Sequence, residues 1–216
     1  MPLYTADALI LRTYKLGEAD RIVVFLTRDR GKKRGVAKGA RRPRSRFGAA
    51  LEPMTEARVA YFEKERRELV GLNYAEPVRS PMDAPTFDAL GYIGYFAELL
   101  DEWAQEADAD DRLFRLGASM LDALSAGAPV EPLARYFECW LLRLQGVYPE
   151  ARGTLSDEAM AFLAASRTVT PQQVGAVAVS SAVLKELEQA HRALITMHLE
   201  KNLKSDRVLR DLRKHN

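Results

Sequence analysis

The chain has 216 residues, of which 47% are hydrophobic and 29% charged, with one Cys and a formal net charge of +2. Its length allows one large or two small domains, and its composition excludes fibrous and disordered classes. No apolar run approaches the roughly 18 residues of a membrane span. The first residues lack a signal-peptide pattern. One Cys allows neither an internal disulfide nor a zinc site of paired cysteines. We therefore expect a protein of a reducing cytoplasm, with no membrane partner.

The small net charge conceals an uneven distribution along the chain. Residues 1–80 carry 18 Lys and Arg against 10 Asp and Glu, whereas residues 81–150 carry 4 against 13. The remaining residues, 151–216, carry 10 against 7. A basic module followed by an acidic one predicts two parts with different partners.

The N-terminal region has the pattern of short β-strands. Strand-length runs rich in β-branched and aromatic residues, bounded by polar or glycine signals, occur at 6–13, 21–27, 33–38, 55–62 and 69–74. Because closure removes exposed strand edges and no helical period is evident here, five short strands favour a small closed barrel.

Beyond the segment 76–85, which contains three prolines, apolar residues recur at helical spacing. Proline removes a backbone donor and disfavours helix before it, so this segment predicts a boundary. Helices are predicted from near Pro85 to 103, over 113–124, over 133–144 and over 181–202, with further starts at Ser156, Thr170 and Ser205. The second module is therefore predicted to be all-α.

The most informative segment is 28–46, which holds ten Lys and Arg and one Asp. Protein surfaces normally mix both charge signs, so this cluster favours a phosphate-contacting surface, with a solvated charge run as the alternative. Arginine suits bidentate phosphate contact and stacking on bases. Four nearby aromatic residues could stack bases, although a place in the core is the favoured interpretation of each: Phe25, Phe47, Tyr61 and Phe62.

Catalytic and metal-binding patterns are weak in this sequence. The glycines of the basic segment do not form a phosphate-binding loop of the nucleotide hydrolases, and no dinucleotide fingerprint is present. His191 and His198 are too far apart along a helix to share one ion unaided. Cys139 lies in an apolar stripe and is expected to be a buried thiol. The acidic cluster 108–111 is expected to be a solvated loop and helix start.

Three segments of the chain resemble the RecO family of recombination mediators. The first and most specific is GEADRIVVFLTRDRGKKRGVAKGARRPRSR at 17–46, followed by LEP at 51–53. The others are YFECWLLRLQGVYPE at 136–150 and HLEKNLKSDRVL at 198–209. They occur in the family's order and extend over nearly the whole chain.

This resemblance implies an α+β protein of two modules. An N-terminal five-stranded oligonucleotide/oligosaccharide-binding (OB) β-barrel, 1–78, would precede a helical domain, 79–216. It implies a non-enzymatic, nucleoid-associated DNA repair protein of the bacterial cytoplasm, without a cofactor. Such a protein binds single- and double-stranded DNA, anneals strands and, with RecR, helps load RecA onto DNA coated by single-strand-binding protein, whose C-terminal tail it also binds.

Many members carry a four-cysteine zinc insertion after the segment 146–149, whereas this chain has no Cys there. Zinc is therefore not expected, and that subdomain should be reduced or absent.

The resemblance assigns DNA contacts to Arg28, Lys32, Lys33, Arg34, Lys38, Arg41, Arg42, Arg44 and Arg46. Candidate contacts for the acidic tail of single-strand-binding protein, which needs a hydrophobic groove rimmed by cations, are Arg135, Arg143, Leu144, Lys201, Lys204 and Arg207. Two other classes remain open from the residues alone. A general RNA- or translation-associated OB-fold protein would present the same cations to phosphates. A metal-dependent nuclease would need ligands that no motif here supplies.

Overall fold

The computed structural model of the chain describes residues 2–63, 68–83, 87–148, 155–206 and 208–209. Five β-strands come first: β1 Leu3–Leu16, β2 Asp20–Thr27, β3 Gly31–Ala37, β4 Glu56–Phe62 and β5 Val70–Arg79. Five α-helices follow: α1 Phe87–Trp103, α2 Asp111–Ser125, α3 Val130–Leu144, α4 Asp157–Ser166 and α5 Ser181–Leu199. Short 3-10 helices occur at Gly48–Leu51, Pro81–Asp83 and Pro171–Ala176.

The five strands close into a barrel in the order β1-β2-β3-β5-β4. All neighbours are antiparallel except β3 and β5, which run parallel. Alternate residues fill the interior, among them Ile10, Val23, Phe25, Val59 and Tyr61. This arrangement confirms the predicted α+β class with an N-terminal five-stranded barrel of OB type followed by helices.

Two strands are longer than the sequence predicts. β1 continues past residue 13 to Leu16, and a bulge between Ile10 and Arg12 shifts its register. β5 continues past residue 74 to Arg79 although it contains Pro77. Pro77 lies opposite Ala57, next to an irregularity of the β4–β5 register. A proline is tolerated at such an irregularity, because its missing N–H there costs little of the regular ladder.

The predicted helices are present, with differences at their ends. Ser156 caps α4, where its hydroxyl accepts from the Ala159 N–H. The start predicted at Thr170 leads into the 3-10 helix rather than an α-helix. α5 ends three residues before residue 202 because Glu200 takes a left-handed conformation with φ 54°. The start predicted near Pro85 lies outside the described residues.

The chain divides into two compact units that are not contiguous in sequence. The first comprises Met1–Asp83 and Ile93–Leu121, and the second comprises Ala84–Tyr92 and Asp122–Asn216. Whereas the sequence places the boundary between 78 and 79, the end of α1 and the start of α2 pack with the barrel. A Cβ atom at Gly117 of α2 would lie 2.7 Å from Cδ1 of Leu9, on the outer face of β1. Burial of that apolar face explains why these helical residues join the first unit. No helix within the described ranges is long and apolar enough to cross a membrane.

Candidate nucleic-acid interface

The basic segment 28–46 occupies three consecutive parts of the barrel. Residues 28–30 form the turn after β2, β3 follows, and residues 38–46, here called the basic loop, come after β3. Lys32 and Lys33 are half-buried. The other seven predicted DNA contacts are exposed: Arg28, Arg34, Lys38, Arg41, Arg42, Arg44 and Arg46. Carboxylates around each cation, as well as its exposure, determine which cations are available to phosphates.

The β2–β3 turn is contacted by residues 101–111, here called the acidic segment. The Lys32 ammonium donates to the Asp101 carbonyl oxygen at 2.6 Å and to its Oδ1 at 3.3 Å. Arg28 Nε donates to Asp111 Oδ1 at 2.8 Å. The backbones also pair, because the Lys32 N–H donates to the Gln105 carbonyl oxygen and the Ala107 N–H donates to that of Lys32. Arg28 and Lys32 therefore contact carboxylates of their own unit.

The acidic segment approaches the turn closely at Gly31. This glycine has φ 66°, and a Cβ atom at its position would overlap the backbone of Asp108. The sequence predicts a solvated loop at 108–111, and part of that expectation holds. Asp110 Oδ1 accepts from the N–H groups of Arg112 and Leu113 at the start of α2. The contact with the barrel turn has no local sequence signal, because it joins residues some eighty positions apart.

Lys33 also contacts a carboxylate of the first unit. Its ammonium lies 2.8 Å from Glu63 Oε1. Lys33 is opposite Phe25 in the β2–β3 ladder, and Phe25 belongs to the barrel interior. Arg34, next along β3, is opposite Val24 and is exposed. The alternation of strand side chains thus sends consecutive cations of β3 to different faces.

The basic loop is held against the turn between β1 and β2. The Gly39 N–H donates to Asp20 Oδ1 at 2.8 Å, and the Arg41 N–H donates to the Ala19 carbonyl oxygen at 2.9 Å. The Arg41 guanidinium donates to the Gly17 carbonyl oxygen at 2.7 Å. Three hydrogen bonds therefore fix the path of a loop that has little apolar burial of its own.

The cations of the basic loop lack carboxylate partners in the part of the chain that the structure describes. Within the described ranges, no Asp or Glu forms an ion pair with any of its five: Lys38, Arg41, Arg42, Arg44 and Arg46. The Arg46 guanidinium lies 5.1 Å from the Phe47 ring centroid. Because the ring is neutral, this contact leaves the positive charge of Arg46 uncompensated. Arg44 has φ 60°, a conformation uncommon for arginine. A fixed loop with five exposed cations concentrates positive potential at one place.

The aromatic residues that the sequence offers as base-stacking candidates are mostly core. Phe25 and Tyr61 are fully buried and Phe47 is 2% exposed. Phe62 is half-buried. Burial, and secondarily the charge of Glu63, raise the pKa of Tyr61 to about 12. These rings therefore stabilise the barrel.

One exposed aromatic residue of the barrel escapes the sequence interpretation. Tyr14 is 43% exposed and lies on β1 beyond its predicted end at residue 13. The alternation of side chains at Arg12, Tyr14 and Leu16 is the sequence signal from which the predicted end of β1 could be moved from residue 13 to residue 16.

The candidate partner-binding residues of the second unit are in unequal environments. Arg135 is 3% exposed, and its guanidinium contacts Glu138 at 2.6 Å and Glu188 at 3.5 Å. Such burial is at odds with a direct contact to a partner. Arg143 and Leu144 are half-buried, whereas Lys201 and Lys204 are exposed. Arg207 lies outside the described residues.

Cys139 and His191 belong to the interior of the second unit. Cys139 is buried, which raises the pKa of its thiol, and Arg143 Nε donates to its sulfur at 3.4 Å. His191 is fully buried, with Nδ1 2.9 Å from Glu138 Oε2 and Nε2 3.2 Å from the Tyr148 hydroxyl. Among the described residues, no group of three or more His, Cys, Asp or Glu could hold a metal ion.

Fold and site together define a closed OB-type barrel with a fixed cationic loop, followed by a helical region. Two family models match the chain: "Recombination protein O N terminal" over residues 1–81 and "Recombination protein O C terminal" over residues 84–153. The chain belongs to the RecO family.

Curated relatives agree with this assignment. "DNA repair protein RecO" of Koribacter versatilis is 42% identical over 68% of this chain and 61% of the relative. The protein of the same name from Anaeromyxobacter sp. (strain K) is 42% identical over 65% of this chain and 56% of the relative. That from Pelotomaculum thermopropionicum is 35% identical over 69% and 57%. The chain thus aligns with about six tenths of the length of the relatives it matches.

Proposed function

We propose that this chain is a DNA repair and recombination mediator that binds single- and double-stranded DNA through the basic loop and anneals complementary strands. The observation that carries the proposal is the loop itself, which is fixed to the β1–β2 turn at Gly39 and Arg41 and carries five exposed cations without carboxylate partners among the described residues. The name of the relatives, "DNA repair protein RecO", supports the same biological role.

The basic loop suits phosphates rather than base edges. Lys and Arg displace the counterions condensed on DNA, so affinity falls as salt rises. Contacts of this kind position a strand without reading its sequence. Neutralised phosphates repel a second strand less, which favours annealing. No step in this mechanism forms a covalent bond or needs nucleotide hydrolysis, so we propose a non-enzymatic activity. Annealing that depended on ATP would contradict it.

The proposed partners follow from family membership. We propose that the chain acts with RecR to help load RecA onto DNA coated by single-strand-binding protein, and that it does so at the bacterial nucleoid. The acidic tail of single-strand-binding protein would contact the second unit, where Arg143, Leu144, Lys201 and Lys204 remain candidates. We leave Arg135 out of this proposal because it is 3% exposed. A fluorescent tail peptide should bind the full chain and lose affinity in Arg143→Glu, and equal binding would exclude that residue.

Strand annealing on DNA coated by the cognate single-strand-binding protein, with and without RecR, tests the proposed function. The wild-type chain should accelerate annealing without ATP. A triple variant with Arg41→Glu, Arg42→Glu and Arg44→Glu should not. The control Lys185→Glu reverses an exposed charge on α5 and should anneal normally. Wild-type failure to anneal, or full activity in the triple variant, would contradict the proposal.

Competition by an RNA oligomer of matched sequence distinguishes the RNA-binding class, since a preference for RNA would depend on its 2′-hydroxyl groups.

A further inference from the structure

The outer face of strands β1, β2 and β3 extends beyond the part that helices cover. Val23 and Phe25 belong to the barrel interior, so their neighbours Ile22 and Val24 point outward. Cross-strand partners share a face. Tyr14 is opposite Ile22, which is in turn opposite Val36. These three residues form a row across the outer face, here called the tyrosine row.

The row lies where burial of this face ends. Leu9 and Leu26, further along the same face, are 0% and 1% exposed, and Val24 is 4% exposed. Tyr14 is 43% exposed and Leu16 is 37% exposed. The helical part of the first unit thus covers one portion of the sheet and leaves the next portion open.

Tyr14 is held in position by its neighbour on the strand. Arg12 Nη1 donates to the Tyr14 hydroxyl at 3.0 Å, and the guanidinium carbon lies 6.0 Å from the ring centroid. Arg12 is itself fixed, because its Nη2 lies 3.0 Å from Asp101 Oδ2. An exposed ring that is already ordered loses little conformational entropy when a ligand packs on it.

The charges around the tyrosine row favour a polyanion. Arg34 lies on the same face, opposite Val24, and is exposed. Lys15, next to Tyr14 on β1, is exposed, but alternation places it on the other face. Glu18 is exposed in the turn after β1, and the Asp20 carboxylate keeps its negative charge while it accepts from the Gly39 N–H, so the positive charge near the row comes from Arg34 and the basic loop. The basic loop is anchored at Gly17, three residues and roughly 10 Å along the chain from Tyr14. One OB fold covers roughly 4–16 nucleotides, so a single bound strand is long enough to contact both Tyr14 and the basic loop.

We propose that the tyrosine row stacks unpaired bases of a single DNA strand whose phosphates bind the basic loop. The inference rests on the proposed function and assigns to the same site a preference for unpaired strands. Aromatic side chains stack any base, because every base has a π-face. A duplex keeps its bases stacked inside, so the row contributes nothing to duplex binding. A protein partner is less suited to this surface. A stable interface buries about 800 Å² per partner, whereas the exposed apolar surface here centres on the side chains of Tyr14 and Leu16.

Fluorescence anisotropy with the full chain tests this assignment. The probes are an oligothymidylate of about 16 nucleotides, an abasic strand of the same length, and a duplex. Tyr14→Ala should weaken binding of the oligothymidylate by roughly 5- to 150-fold and leave the abasic strand and the duplex unchanged. Tyr14→Phe keeps the ring but loses the hydrogen bond from Arg12, so its affinity for the oligothymidylate should stay much closer to that of the wild type than to that of Tyr14→Ala. Tyr74→Ala, which removes a 36% exposed tyrosine on β5, is the matched control and should be neutral.

Two results would overturn the inference. One is an unchanged affinity of Tyr14→Ala for the oligothymidylate, and the other is an equal loss on the abasic strand, since that would place the effect on phosphate contacts. If Tyr14→Ala fails to fold, Tyr14→Trp provides a second readout, because the oligothymidylate should quench the new indole and the abasic strand should not. Absence of quenching would likewise overturn it. Failure of the proposed function is distinguishable, since wild type would then bind none of the probes.

Discussion

Lys32 and Asp101 are joined by two contacts, from the lysine ammonium to the aspartate carbonyl oxygen at 2.6 Å and to its Oδ1 at 3.3 Å. The other carboxylate oxygen of Asp101 lies 3.0 Å from Arg12 Nη2. One carboxylate at the end of α1 therefore compensates two cations of the sheet. Lys32 is bonded within the first unit, whereas the cations of the basic loop are not paired with any carboxylate that the structure describes.

Asp101→Asn should make binding of duplex DNA tighter and more sensitive to salt. Lys32 and Arg12 would lose their shared counter-charge, and up to two further phosphate contacts would steepen the slope of log K against log salt by up to about 1.8 for duplex DNA. The free energy of unfolding should fall by about 1–3 kcal/mol, because the contacts are largely buried. Salt titrations and urea denaturation measure the two effects. Glu131→Gln removes the same charge at an exposed site in α3 and controls for net charge. Weaker duplex binding by Asp101→Asn would contradict the expectation.

Gly31→Ala should destabilise the protein more than Gly17→Ala. Both glycines have positive φ, 66° and 56°, so both substitutions carry the left-handed cost of about 1–2 kcal/mol. Only at Gly31 would the new methyl also overlap the backbone of Asp108, since nothing lies within 4 Å of a Cβ at Gly17. Denaturation midpoints compare the two. Equal losses would mean that the acidic segment does not pack against the turn.

Tyr61→Phe should leave stability at neutral pH unchanged or slightly higher. The buried hydroxyl of Tyr61 has no hydrogen-bond partner among the described residues, so its removal exposes no unpaired group. Burial raises the tyrosine pKa from 10.0 to about 12 in the folded protein. The folded state therefore favours the neutral hydroxyl, and wild type should lose stability as pH rises from about 10 toward 12. Unfolding of Tyr61→Phe should be less sensitive to pH over that range. Identical alkaline profiles for Tyr61→Phe and wild type would refute this.

The strands and helices were largely predictable because their signals are local. Alternation in β2 and β4 and three-to-four spacing in α2 and α3 each lie within one element. The ends were less predictable, since β5 passes Pro77 only by virtue of an irregular register with β4. The membership of α1 and α2 residues in the barrel's unit depends on burial of the sheet's outer face, which no single segment encodes.

The basic segment was predictable as a candidate site, but its internal division was not. Composition treats Lys32 and Arg42 alike. Their environments in the structure differ. The Lys32 ammonium contacts Asp101, which is distant in sequence, whereas Arg42 is exposed in the basic loop. Tyr14 was missed for a similar reason, as its exposure depends on where the helical cover of β1 ends.

The salt dependence of DNA binding by the basic loop tests the central claim most directly. Affinity for a duplex should fall linearly on a log–log scale as salt rises, and reversal of Arg41, Arg42 and Arg44 to glutamate should lower it by orders of magnitude. The slope should become shallower by about 2.7, or about 2.1 for a single strand, as three phosphate contacts are lost. Unchanged affinity and slope in this triple variant, measured by fluorescence anisotropy alongside Lys185→Glu, would contradict the assignment of the loop as the DNA interface.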